Sequence, residues 1–167
     1  MGNRSILADA SDPDMQYTLN MKIKFREGVR PFAPVVCEED YDRYFEKGKA
    51  SYYMLFTSLV KDSLRTKLPE NFKEFSLEEK RKFKKSELSA ITHIDFSARV
   101  QVVKKDLNPM LWSLIQSYQK ITGVGVLINT SFNVKDEPIV NTPEDAYLCF
   151  MKSGMDGLVL ENYLIVK

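Results

Sequence analysis

The feature that most constrains this chain is a five-residue run without a polar side chain, VGVLI at 124–128, standing between two helical patterns. Ahead of it, Asn108-Pro109 opens a segment in which Leu111, Leu114, Ile115 and Tyr118 share one helical face, and Gly123 supplies the stop. Behind it, Thr142-Pro143-Glu144-Asp145 offers a capping hydroxyl, a first-turn proline and two acids to a helix that ends near Gly154. A buried strand flanked by helices calls for an α/β arrangement. The strand gives way to NTSFN at 129–133, in which Asn129, Thr130, Ser131 and Asn133 carry amides and hydroxyls. Such side chains beyond the carboxyl end of a strand suit a ligand. They equally suit a polar turn that bonds its own backbone, and this segment alone leaves both readings open.

The remaining pattern is also mixed. Asp12-Pro13 opens a helix to about residue 22, with Met15, Leu19 and Ile23 recurring every fourth position. Strands are expected at 33–37, 54–60, 90–95 and 99–103, a short helix at 38–46, and a closing hairpin of 157–160 and 163–166 turning at Glu161-Asn162. Residues 61–87 hold nine basic and six acidic side chains and few apolar ones. They read as a charged, solvated insertion with a capping box at Ser76 and Glu79, in preference to a basic docking arm. The expectation is a single mixed α/β domain with parallel and antiparallel pairing.

Charge and composition narrow the function classes. Lys and Arg total 24 against 23 acids, so no global field favours nucleic acid or a membrane surface, and an anion site has to be local. Cys37 and Cys149 stand apart in apolar company without metal-ligand spacing, as free buried thiols would. The start has no basic region followed by a long apolar run, and a soluble cytoplasmic protein is expected. His93, the only histidine, reads as a structural or site-edge residue in preference to a base or metal ligand.

A second cluster tips the balance towards a ligand site. KIKFREGVRPFAP places Lys22, Lys24, Arg26 and Arg30 within nine residues, between a helix end and a strand. Lys22 suits the helix C-terminus and Arg26 an acidic partner, which leaves Lys24 and Arg30 for anion contact. Arg99, on an otherwise apolar strand, is a third candidate. Three cations meeting a Ser/Asn loop describe a site for a small phosphorylated ligand.

Four segments then carry a resemblance: GNRSILADASDP, IKFREGVRPFAPVV, ITHIDFSARVQVV and TGVGVLINTSFNVKDEPIVNTPEDAYLCF. In this order, over nearly the whole chain outside 61–87, they resemble the C-terminal domain of the NodU/CmcH carbamoyltransferase family. The resemblance implies a YrdC-like twisted α/β fold, related to threonylcarbamoyl-adenylate synthases. It further implies that carbamoyl phosphate and ATP, with Mg2+, bind here to give carbamoyl-adenylate and pyrophosphate. An N-terminal ASKHA-type domain in cis, absent from this chain, would hold iron (Fe2+) and pass the carbamoyl group to a hydroxyl. On the matching motifs, Lys24, Arg30 and Arg99 hold phosphate groups, Asn129 and Ser131 position the carbamoyl group and the adjoining phosphate, Asn133 is a further substrate-binding residue, and Arg4 makes a further phosphate contact. Asp136 replaces a glycine usual in the family, which implies another loop conformation. The alternative class is a nucleotide- or RNA-binding module that does not turn its ligand over. A threonylcarbamoyl-adenylate synthase relative is less favoured by RPFAP and NTSFNV.

Overall fold

The apolar run at 124–128 feeds two cores at once. In the computed structural model, which describes residues 2–28, 30–46, 48 and 51–167, Val126 and Ile128 join one buried cluster and Leu127 the other. Alternate side chains of a strand point to opposite faces, so a strand covered on both sides reads as a continuous apolar run. Fully burying each such side chain contributes about 1.5–3 kcal/mol.

In chain order the elements are β1 (Ser5–Asp9), α1 (Met15–Thr18), β2 (Ala33–Cys37), α2 (Tyr41–Tyr44), β3 (Ser58–Leu59), α3 (Leu77–Lys82), β4 (Ser97–Ala98), β5 (Gln101–Val103), α4 (Pro109–Thr122), β6 (Val126–Ser131), α5 (Pro143–Lys152), β7 (Gly157–Leu160) and β8 (Tyr163–Val166). The main sheet is four-stranded in the order β1-β6-β2-β5. β6 runs antiparallel to both β1 and β2, and β2 parallel to β5, giving the mixed α/β sheet that was expected. α4 covers one face through Leu111 and Ile115, which meet Val35, Cys37, Val103 and Leu127. Leu19, Ile23, Phe45, Phe150 and Leu158 belong to the core on the other. β3 with β4, and β7 with β8, form separate two-stranded sheets.

Several expected elements differ in extent or kind. No element was expected at 5–9, where β1 pairs along the whole of its length with β6. The segment 90–95 is not a strand: Ser89–Ile91 forms a 3-10 turn. There Ser86 Oγ accepts from Leu88 N at 3.0 Å, Ser89 Oγ donates to Ser86 O at 2.8 Å, and Thr92 Oγ1 donates to Leu88 O at 2.7 Å. Local hydroxyl bonds of this sort compete with a sheet ladder. Strand 54–60 shrinks to Ser58–Leu59, and 99–103 to Gln101–Val103. The first helix is only α1 followed by a wide π turn, Leu19–Ile23, and Asp12 accepts from Asp14 N ahead of it without capping it. β6 runs on to Ser131, so the first three residues of the polar cluster lie within the strand.

The expected thiols, capping box and later helices are present, and the expected helix at 38–46 is a 3-10 turn, Glu38–Asp40, running into α2. Both cysteines are free and buried, α3 carries the Ser76/Glu79 capping box inside the charged insertion, and α4 and α5 start and stop near the expected residues. Among the described residues no helix is long and apolar enough to cross a membrane.

Candidate anion-binding cleft

Sheet topology decides where the cations gather. Because β1 and β2 run against β6, their first residues lie beside its last: Ser5 opposite Ser131, Ala33 opposite Asn129. β5, parallel to β2, starts at the same edge. Arg4 precedes β1, Arg26 and Arg30 precede β2, and Arg99 precedes β5. One carboxyl end and three amino ends therefore meet at this edge, instead of the row of carboxyl ends that a purely parallel sheet would supply.

The edge holds a cleft of about 680 Å3, a volume suited to a nucleotide-sized ligand. Arg4, Arg26, Arg30 and Arg99 line it together with Asn129, Thr130 and Ser131, and Phe32, Tyr53, Met54 and Ile139 give apolar wall. Among the described residues its lining contains no Asp or Glu. Arg30 and Arg99 are exposed, and neither guanidinium has a hydrogen bond or ion pair among the described residues. Arg4 is partly spent, since Nη1 donates to Val140 O at 3.1 Å.

Arg26, which the sequence favoured for an acidic partner, is held otherwise. Its Nε donates to Asn20 Oδ1 at 2.7 Å and its guanidinium lies 4.9 Å from the Phe32 ring centroid. Burial first, then the neighbouring Arg30, lowers its pKa. Asn20 is fully buried, and its Nδ2 donates to Arg30 O at 2.8 Å, so one amide fixes both ends of the arginine loop. The π turn contributes as well, with Lys24 N donating to Leu19 O at 2.7 Å and Phe25 adopting a positive φ of 49°.

Lys24 and Asn133 do not line the cleft; they bind each other. The Lys24 ammonium is buried and donates to Ser131 O at 2.5 Å, and to Asn133 O and Asn133 Oδ1 at 2.9 Å each. Ser131 Oγ donates to the same Asn133 Oδ1 at 2.6 Å. Burial first, then Arg26, pushes the Lys24 pKa down to about 8. This lysine anchors the turn that follows β6. Asn129 is likewise braced, with Nδ2 donating to Gln101 Oε1 at 2.6 Å across β2, which separates their strands. Asp136 has φ 62°, in the left-handed region glycine enters without strain.

His93 lies outside the lining. Ser97 Oγ donates to Asp95 Oδ1 at 2.7 Å, so it accepts from His93 Nδ1 at 3.0 Å, which fixes the tautomer. Burial lowers the His93 pKa despite Asp95, and the ring is neutral at pH 7. Sequence reasoning passed over Arg26, Asn20, Gln101 and Tyr53. The signals for two of them were polar residues inside apolar patterns: Asn20 beside Leu19 and Ile23, and Gln101 in RVQVV.

These features define a cation-rich cleft at one edge of a mixed α/β domain. The whole chain, residues 1–167, matches the family described as carbamoyltransferase C-terminus, and it belongs to that family. It is 49% identical over its full length to an uncharacterized protein of Synechocystis sp., covering 27% of that protein. Nodulation protein NolNO of Sinorhizobium fredii is 40% identical over the full chain, which covers 22% of its length. The 3'-hydroxymethylcephem-O-carbamoyltransferase of Amycolatopsis lactamdurans is 34% identical over 95% of the chain, which covers 26% of its length. The chain thus spans about a quarter of each of these relatives.

Proposed function

We propose that this domain, in a YrdC-like fold, forms carbamoyl-adenylate from carbamoyl phosphate and ATP within an O-carbamoyltransferase. The observation that carries the reading is the meeting of four arginines in one cleft with no carboxylate in its lining. An accompanying ASKHA-type domain in cis would transfer the carbamoyl group to a hydroxyl acceptor. One relative's name, an O-carbamoyltransferase, supports that chemistry. The setting is the cytoplasm, where ATP and reduced thiols coexist.

The atoms balance as follows. Carbamoyl phosphate gives up its phosphate to water, and an oxygen of the resulting carbamate displaces pyrophosphate from the α-phosphorus of ATP. Inorganic phosphate and pyrophosphate are both released. Displacement at phosphorus relies on positioning and fixed positive charge more than on a covalent nucleophile. Arg30 and Arg99, without internal partners, hold phosphate groups, and Arg26 and Arg4 add charge from positions already fixed by Asn20 and Val140. Asn129 and Ser131 orient the carbamoyl end, and Lys24 with Asn133 keeps Ser131 in place. Tyr53 offers an aromatic face for the nucleobase. Mg2+ would enter with ATP and supply charge neutralisation at its phosphates; since no described residue of the lining is a carboxylate, phosphate oxygens and water would be its ligands.

The test is calorimetric titration with Mg-ATP, with and without carbamoyl phosphate, together with assays for phosphate and pyrophosphate. Arg30→Ala and Arg99→Ala should each weaken binding by about tenfold or more, since a charge-assisted bond contributes about 1.5–3 kcal/mol. Binding without pyrophosphate release would favour the non-catalytic module. Unchanged affinity in both variants would remove the cleft assignment.

A further inference from the structure

β7 and β8 pair with Leu158 opposite Ile165 and Val159 opposite Leu164. Alternation then puts Leu158, Leu160 and Ile165 against the core, and Val159, Leu164 and Val166 on the reverse face. A hairpin with a single core carries polar residues on its outer face. Here that face is apolar, with Val159 and Leu164 each 68% exposed and Val166 66%.

The neighbouring helix repeats the pattern. Residues 146–151 of α5 read AYLCFM: Ala146, Cys149 and Phe150 are buried, while Tyr147, Leu148 and Met151 are exposed. Between its charged ends, α5 thus shows an apolar stripe to solvent as well as one to the core, and an exposed apolar patch of this kind marks a contact surface. Lys167, directly after β8, locks the hairpin to this helix. Its Nζ donates to Phe150 O and Ser153 O at 2.5 Å each and lies 4.5 Å from the Phe150 ring centroid. Charged and polar Lys152, Glu161 and Asn162 are exposed close by in sequence, as at the rim of an interface.

The occupant follows from the proportions of the relatives. The domain covers 22–27% of their length, so roughly three times as much chain accompanies it, tethered and therefore at high effective concentration. We propose that the outer face of the β7–β8 hairpin, with the exposed stripe of α5, is where the remaining chain of a longer carbamoyltransferase docks through apolar contacts. This inference rests on the family membership and on the accompanying chain, not on the carbamoyl-adenylate step, so ligand titration of the cleft tests the other reading separately.

The test is maleimide labelling of Leu164→Cys, with the native cysteines buried. It is run in the 167-residue chain and in the Synechocystis protein with its matching segment replaced by this chain. Ile121→Cys on α4, at an exposed position remote from the hairpin in sequence, is the control. Leu164→Cys should react freely in the short chain and slow by about tenfold or more in the long one, while Ile121→Cys reacts freely in both. Equal rates at 164 in the two proteins overturn the proposal. Protection at 164 in the short chain that grows with concentration overturns it too, because a second copy is then the occupant. A cysteine at the aligned position of the intact Synechocystis protein needs no graft: slow labelling there supports the docking face, and free labelling overturns it.

Discussion

At the scale of single residues, Lys24 and Arg99 separate two roles among the cations expected to contact phosphate. Arg99 is exposed and its guanidinium has no hydrogen bond or ion pair among the described residues, so Arg99→Ala should change the free energy of unfolding in urea by less than about 0.5 kcal/mol. Lys24→Ala removes a buried stem and takes the lysine donor from Asn133 O and from Ser131 O, which still accepts from Asn133 N at 3.1 Å. Methylene burial contributes about 0.8 kcal/mol each, and an unpaired acceptor at Asn133 O costs about 1–3 kcal/mol, which together outweigh the relief of a buried charge. A net loss of about 1–3 kcal/mol is expected from the same urea measurement. The charge itself has a pH signature. Its ordinary value of 10.5 holds in the unfolded chain, and burial, then Arg26, pushes it to about 8 in the fold. Between those values the unfolded state binds the extra proton, so the Lys24 term adds stability as pH rises from about 8 to about 10.5, and below 8 it is a cost. The difference between wild type and Lys24→Met cancels the thiols and phenols titrating in the same range. That difference should move in favour of the wild type across this window, and a flat difference would show that Lys24 titrates normally.

At the scale of elements, the legible parts of the chain are those whose local signals and tertiary packing agree. α5 starts where Thr142 Oγ1 accepts from Asp145 N at 3.1 Å and Asp145 Oδ2 accepts from Thr142 N at 3.0 Å. Thr142→Ala should cost about 1 kcal/mol in thermal or urea unfolding, as loss of such a cap does elsewhere. α4 stops at Gly123, whose φ of 80° suits glycine. Segment 90–95 misled because apolar residues in a short run fit a strand or any buried turn, and only the hydroxyls of Ser86, Ser89 and Thr92 distinguish them. β1 was illegible for another reason. SILAD is only half apolar, and its strand character comes from pairing with β6, over a hundred residues away.

At the scale of the whole molecule, a net charge of +1 coexists with a cleft lined by four arginines and no carboxylate. Saturation with Mg-ATP at about 100 times its dissociation constant should raise the unfolding free energy of the wild type by about 2.7 kcal/mol. The rise should be much smaller for the Arg30→Ala, Arg99→Ala pair and unchanged for Lys82→Glu on exposed α3, a comparison read by thermal shift. The sequence by itself determined the class of fold, the free thiols, the main helices and the two chemical ingredients of the cleft, a basic loop and an amide-hydroxyl strand end. These are recorded locally, in periodicity, caps and composition. Only the tertiary structure decided which cations share a site. Arg26 reaches the cleft while Lys24 two residues away is consumed by Ser131 and Asn133, because their positions depend on an antiparallel register between strands distant in sequence, and no local pattern encodes that distance.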